Sequence, residues 1–173
     1  MVSPTQLSVV RMVPVAGRIA RAGRGRLAVV RLLNSYRGWD TGHTPLDDAA
    51  WAVEQVRERW PDRPVALVGH SLGGRAALLA AAHDAVRVAV ALNPWVYPTD
   101  GVPLPGRRVL VVHGDQDRIA PLDRARRVVE RLARTTDVEL RVVPGGKHAM
   151  LRHGRTFEQA AADFVSEHLA VRR

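Results

Sequence analysis

Apolar residues along this chain follow two alternating rhythms. Five short runs, Leu27–Leu33, Val65–Val68, Val86–Leu92, Val109–Val112 and Val138–Val143, are rich in valine and lack clean apolar/polar alternation. Strands covered on both faces have this pattern, so the runs are expected to be buried parallel strands. Between them, apolar residues recur at helical spacing. Pro45–Trp60 places Ala49, Ala52, Val53 and Val56 on one face, with Asp47 and Asp48 in the first turn, where acids suit the helix dipole. Leu72–His83 is rich in alanine and leucine almost all round and reads as a buried helix. Leu122–Ala133 gathers Ala125, Val128, Val129 and Leu132 on one stripe, and Phe157–Leu169 gathers Phe157, Ala161, Phe164, Val165 and Leu169. Strands alternating with helices imply an α/β fold. The expected architecture is a three-layer sandwich, a mostly parallel sheet of about five strands with helices on both faces. At 173 residues the chain is expected to be a single domain, 1–173.

Two segments stand apart. Leu7–Ala22 carries Val9, Met12, Val13, Ala16, Ile19 and Ala20 at helical spacing and stops at Gly23 and Gly25, although Pro14 and Gly17 interrupt it. Asn93–Gly106 contains Pro94, Pro98, Pro103 and Pro105 and is not expected to be helical. It leaves the C-terminal end of a strand, where open α/β sheets place their ligands. Trp95 and Tyr97 therefore either wall a site or cap the core.

Composition narrows the function classes. The chain has no cysteine, which excludes disulfides and thiolate metal sites. No His/Asp/Glu set has metal-ligand spacing, and neither metal nor cofactor is expected. No apolar run approaches the length of a membrane span. The formal net charge is +9, nearly all from arginine; Lys147 is the sole lysine. The arginines are spread over every expected helix, acids accompany many of them, and no aromatics interleave, which argues against a nucleic-acid partner. Residues 1–39 contain seven arginines and no acid, as a transit peptide would, but they have a place in the expected fold and lack the apolar core of a secretory signal. A cytoplasmic location is expected.

The chemistry concentrates at strand ends. Gly69-His70-Ser71-Leu72-Gly73 follows the run Val65–Val68 and has the spacing G-x-S-x-G. A sharp strand-to-helix turn would lift the Ser71 Oγ above the sheet, and Gly69 and Gly73 would permit so tight a turn. A serine nucleophile needs a base, and the base needs an orienting acid. The fourth run ends in His113-Gly114-Asp115-Gln116-Asp117, the fifth in Gly145-Gly146-Lys147-His148. With parallel strands, both loops emerge at the same sheet edge as Ser71. The acid is Asp117 or, two residues earlier, Asp115. Ser71 also fits a plain helix N-cap. His70 and His113 suit loop-holding hydrogen bonds, and His43, His83, His153 and His168 read as surface or packing residues.

These motifs resemble those of the α/β-hydrolase superfamily. Gly69-His70-Ser71-Leu72-Gly73-Gly74 is similar to its nucleophile elbow, His113-Gly114-Asp115-Gln116-Asp117 to its H-G-x-x-D acid loop, Gly146-Lys147-His148 to its G-x-H loop, and Tyr36-Arg37-Gly38-Trp39 to the R-G segment after an earlier strand. The likeness runs from about Leu27 to the C-terminus. It implies Ser71 as nucleophile, His148 as general base and acid, Asp117 as orienter, and the Leu72 backbone N–H as an oxyanion donor. It further implies a serine hydrolase without a helical cap, taking a small-molecule ester or thioester.

One part of the pattern is missing. The H-G segment that would supply the second oxyanion donor, and the strand before it, have no counterpart. The chain is therefore expected to be an N-terminally shortened version of a longer protein. The missing strand would lie between Leu27–Leu33 and Val65–Val68, and its absence would leave ladder groups unpaired. Leu7–Val13 could serve as that strand, or Leu27–Leu33 could shift to pair directly with Val65–Val68. A non-catalytic or impaired hydrolase-like protein is the alternative function.

Overall fold

The computed structural model describes Ser3 and residues 5 to 169. Four parallel strands form one sheet in sequential order: β1 (Val65–His70), β2 (Val86–Leu92), β3 (Arg108–Gly114) and β4 (Asp137–Val143). Among the described residues six α-helices accompany them: α1 (Leu7–Val10), α2 (Met12–Gly23), α3 (Thr44–Arg59), α4 (Leu72–Ala80), α5 (Leu122–Leu132) and α6 (Gly154–Leu169). Helices occupy both faces of the parallel sheet, as the alternation of runs implies.

The central strands explain the near-continuous valine runs. From β2 and β3, Val88, Val90, Leu92, Leu110 and Val112 join a core with Val15 and Ile19 of α2 and Phe157, Ala161 and Phe164 of α6. Their alternates Ala89, Ala91, Val109 and Val111 join a second core with Val53 of α3, Leu78 of α4 and Val128 and Leu132 of α5. Every one of these β2 and β3 residues is essentially inaccessible to solvent, so both faces must be apolar. Arg18 fastens α2 to α6 through Glu158 and Gln159, each at 3.0 Å.

The fifth expected strand does not form. Residues 27–34 are irregular, and none of their backbone groups bonds to another backbone group among the described residues. Leu27 and Val29 pack on the α2–α6 core, while Val30, Leu32 and Leu33 face solvent. A strand exists only in a ladder, and this run has no neighbour to pair with. Leu7–Val13 does not substitute for the missing strand; Leu7–Val10 is helical, and Arg11 separates it from α2. Leu27–Leu33 does not shift against β1 either, so β1 is an edge of the sheet.

The proline-rich connection Asn93–Gly106 is irregular except for one 3₁₀ turn at Pro98–Asp100. Val96 and Leu104 anchor it in the α3–α5 core. Among the described residues no helix is long and apolar enough to cross a membrane.

Candidate active site

Ser71 lies between the end of β1 and the first residue of α4. Its backbone has φ 56° and ψ −121°, a region that a residue with a Cβ occupies only under constraint. Three hydrogen bonds impose it: Ser71 N–H donates to the Leu92 carbonyl at 3.0 Å, and Arg75 N–H and Trp95 N–H donate to the Ser71 carbonyl at 3.1 Å. Ser71 holds the N-cap position, but its side chain makes no capping hydrogen bond. The hydroxyl is turned elsewhere.

Of the glycines, Gly69 is indispensable to this turn. A Cβ there would stand 2.0 Å from the Gly73 carbonyl oxygen. The second tight contact belongs to Gly74, whose Cβ would meet Pro94 at 3.1 Å and the Gly69 oxygen at 3.2 Å. Gly73 corrects the sequence reading: a Cβ on it would have open space, so Gly73 contributes only its backbone to the close approach.

The acid and histidine loops cross at a second pair of glycines. A Cβ on Gly114 would lie 2.2 Å from the Gly146 oxygen. The crossing is also tied by Gln116 N–H to the Gly146 carbonyl at 3.0 Å and by Gly145 N–H to Asp115 Oδ1 at 2.7 Å. Asp115 is thus spent on holding the loops together. Asp117 is the acid that reaches the histidine, with Oδ2 2.7 Å from His148 Nδ1. Its Oδ1 accepts from Ile119 N–H at 2.8 Å and Ala120 N–H at 2.9 Å, which fixes the carboxylate. Burial pushes the Asp117 carboxyl up, but the hydrogen bonds from His148, Ala120 and Ile119 together outweigh it and hold the group below its ordinary range. A carboxylate only accepts, so Nδ1 carries the proton and Nε2 is left as acceptor. That Nε2 lies 2.9 Å from Ser71 Oγ. The structure therefore brings Ser71, His148 and Asp117 into one hydrogen-bonded line. Leu72, at the start of α4, directs a backbone N–H that has no backbone acceptor among the described residues.

Asn93 is a site residue that the motifs did not flag. It is fully buried, directly after the apolar β2, and a polar side chain in that position is the available signal. Its Nδ2 donates to the Lys147 and His148 carbonyls at 3.0 and 3.2 Å, and its Oδ1 accepts Gly114 N–H at 2.8 Å. His70 also donates Nε2–H to the His148 carbonyl, and His113 donates Nε2–H to the Ala120 carbonyl, both at 2.8 Å. Both rings hold loops, as expected. Burial lowers both below the usual histidine range, His70 to about 4.

On the other flank, Arg75 makes two bonds to buried Asp100, at 2.8 and 3.1 Å, and lies 4.1 Å over the Trp39 ring. Trp95 meets Tyr97 edge-on at 5.0 Å. Tyr97 is 42% exposed, so it does not cap the core; with Trp95 it forms a rim beside the elbow. Among the described residues no group of three or more His, Asp or Glu side chains could hold a metal ion.

The profile of the family described as serine aminopeptidase, S33, matches residues 22–107, a span that includes Ser71. Among solved structures, an α/β serine hydrolase homologue from Coxiella burnetii superposes with a TM-score of 0.68 at 20% identity, over 88% of this chain and 76% of that one. The chain belongs to the α/β-hydrolase superfamily. An α/β serine hydrolase without lid from Xanthomonas campestris shares 24% identity with this α/β-hydrolase, over 94% of this chain and 77% of that one, at a TM-score of 0.67. Both likenesses are of fold. A curated lipase A from Sodiomyces alcalophilus is 41% identical over 58 residues, 34% of this chain and 14% of the lipase.

Proposed function

We propose that this α/β-hydrolase cleaves a carboxylic ester or thioester by acyl transfer to water through Ser71, His148 and Asp117. The observation that carries the reading is the continuous line from Ser71 Oγ to His148 Nε2 at 2.9 Å and from His148 Nδ1 to Asp117 Oδ2 at 2.7 Å. His148 takes the Ser71 proton as Oγ attacks the carbonyl carbon, then returns it to the leaving oxygen or sulfur. Water repeats the cycle on the acyl-serine and restores Ser71. Asp117, ionised and held by its own loop, fixes the tautomer and offsets the imidazolium charge. Leu72 N–H faces the developing oxyanion. The lidless relative and the partly matching lipase support an open ester site. The short Asn93–Gly106 connection leaves no room for a helical cap, which points to a small or surface-accessible substrate.

A second reading, an impaired hydrolase-like protein, is favoured by one observation. β1 is an edge strand, and among the described residues no strand stands where the superfamily resemblance puts the second oxyanion donor. The loss of one such donor costs roughly 10²–10³ in turnover.

A fluorophosphonate probe separates the readings. It should label the wild-type protein and not Ser71→Ala, and 4-nitrophenyl esters should be hydrolysed by the wild type alone. Undiminished hydrolysis by Ser71→Ala would exclude the serine mechanism. A folded wild-type protein that neither labels nor hydrolyses would establish the impaired form.

A further inference from the structure

A cavity of about 340 Å³ opens beside the candidate site, between the helix pair α1–α2 and the turn that follows His148. Leu7, Val10 and Pro14 line it on one side, and Ala149, Met150 and Leu151, the three residues directly after His148, line it on the other. Its walls are mostly apolar. Met150 is buried, with φ 56°, and belongs to the α2–α6 core, so it forms a fixed floor. Leu7, Val10 and Leu151 are 76%, 46% and 83% exposed, an apolar rim around an apolar hollow. Exposed hydrophobic side chains gathered at a concave site mark binding rather than packing.

The charged groups of the wall do not contradict this. Glu158 is engaged by Arg18 at 3.0 Å. Arg11 stands at the break between α1 and α2, close enough for its charge to act on His70, the neighbour of Ser71. The hollow is therefore continuous with the histidine loop and not a remote surface feature.

We propose that this cavity holds a hydrocarbon chain of the scissile ester, so that the hydrolase takes medium-chain alkyl substrates. The proposal rests on the serine hydrolase reading. A methylene is close in size to a water molecule, whose share of liquid volume is about 30 Å³, so the cavity has room for roughly ten carbons. The chain could come from the acid or the alcohol half of the ester. Both halves lie within reach of a pocket beside His148, because His148 must contact the leaving atom while Ser71 holds the acyl carbon.

Two series of esters identify the half concerned. One varies the acyl chain from acetyl to dodecanoyl on 4-nitrophenol; the other varies the alcohol from methanol to dodecanol on acetate. In one series kcat/KM should rise about threefold per methylene up to eight to ten carbons and then level off. Val10→Trp, which fills the hollow from its rim, should erase the rise. Val10→Ala should extend the plateau to longer chains. A flat dependence on length in both series, or a profile unmoved by Val10→Trp, would overturn the proposal.

Labelling of Ser71 keeps this result distinct from failure of the serine hydrolase reading. If the protein neither labels nor hydrolyses, binding replaces turnover as the readout. Calorimetric titration with 4-nitrophenyl octanoate and with octyl acetate should show saturable binding of at least one of them by Ser71→Ala, weakened at least tenfold in Ser71→Ala/Val10→Trp. Absent or equal binding in the two proteins would overturn the cavity's role whatever the activity.

Discussion

His70 lies tilted against His148, ring centroids 4.9 Å apart, and donates Nε2–H to the carbonyl oxygen of that same residue at 2.8 Å. The residue before the serine thus holds the backbone of the residue bonded to the serine hydroxyl. Burial opposes the charged ring and lowers His70 from 6.5 to about 4. The unfolded chain takes up this proton near pH 6.5, the folded protein only near 4. Stability is therefore complete above pH 6.5 and declines as the pH falls towards 4, by about 3 kcal/mol for this group. His113, also lowered by burial, acts in the same direction. Urea unfolding at pH 7.5 and pH 4.5 should show the decline, and His70→Gln should shrink it. An identical pH dependence in that variant would exclude His70 as its source.

Asn93 joins three strand ends with one side chain. Asn93→Leu would leave the Gly114 N–H without its acceptor in a buried place, would take one donor from each of the Lys147 and His148 carbonyls, which keep Met150 N–H and His70 Nε2–H, and would force leucine into φ 41°. A buried N–H left without a partner costs about 1–3 kcal/mol, so a loss of about that size is expected in chemical denaturation. The candidate site should suffer beyond this, with Ser71 labelling slowed under conditions where the variant is still folded.

Asp117→Asn removes the acceptor that fixes the His148 tautomer. Turnover of an activated ester should fall about ten-thousand-fold, with KM little changed. Asp115→Asn offers the contrast, since Asp115 bonds only Gly145 N–H in an exposed part of the loop crossing. Stopped-flow and steady-state rates for the two variants test which carboxylate serves. A greater loss in the Asp115 variant would reverse the assignment.

The elbow glycines should differ sharply on substitution. Gly69→Ala would drive a Cβ to 2.0 Å from a backbone oxygen, so the variant should lose the elbow or fail to fold. Gly73→Ala meets nothing within 4 Å and lies inside α4, where alanine favours the helix by up to about 1 kcal/mol. Thermal melts should place Gly73→Ala at or slightly above the wild type.

Hydrophobic rhythm and three short motifs were enough to locate β1 to β4, the main helices and the Ser71–His148–Asp117 line, because each is encoded locally. What was not legible depends on partners distant in sequence. Leu27–Leu33 has the composition of a strand, but pairing makes a strand and the run has no neighbour. Gly73 looks like the second elbow glycine, whereas the contact that excludes a side chain falls on Gly74, against Pro94. Asp115 and Asp117 look equivalent until the loop crossing assigns one to Gly145 and the other to His148. The stacking of Trp39 on Arg75 joins residues thirty-six positions apart, beyond the reach of any local signal.

The edge position of β1 has a consequence for how this molecule fails. Ser71 hangs from the end of a strand bonded on one side only, next to β2, which is paired on both sides and buried except at Arg87. Amides on the open side of β1 have no ladder partner to slow their exchange with solvent, and transient peeling of that strand requires breaking a single row of bonds. The candidate site would come apart in such local openings while β2 and β3 stay intact. Loss of activity on heating should therefore precede melting of the core, and the two temperatures would measure different events.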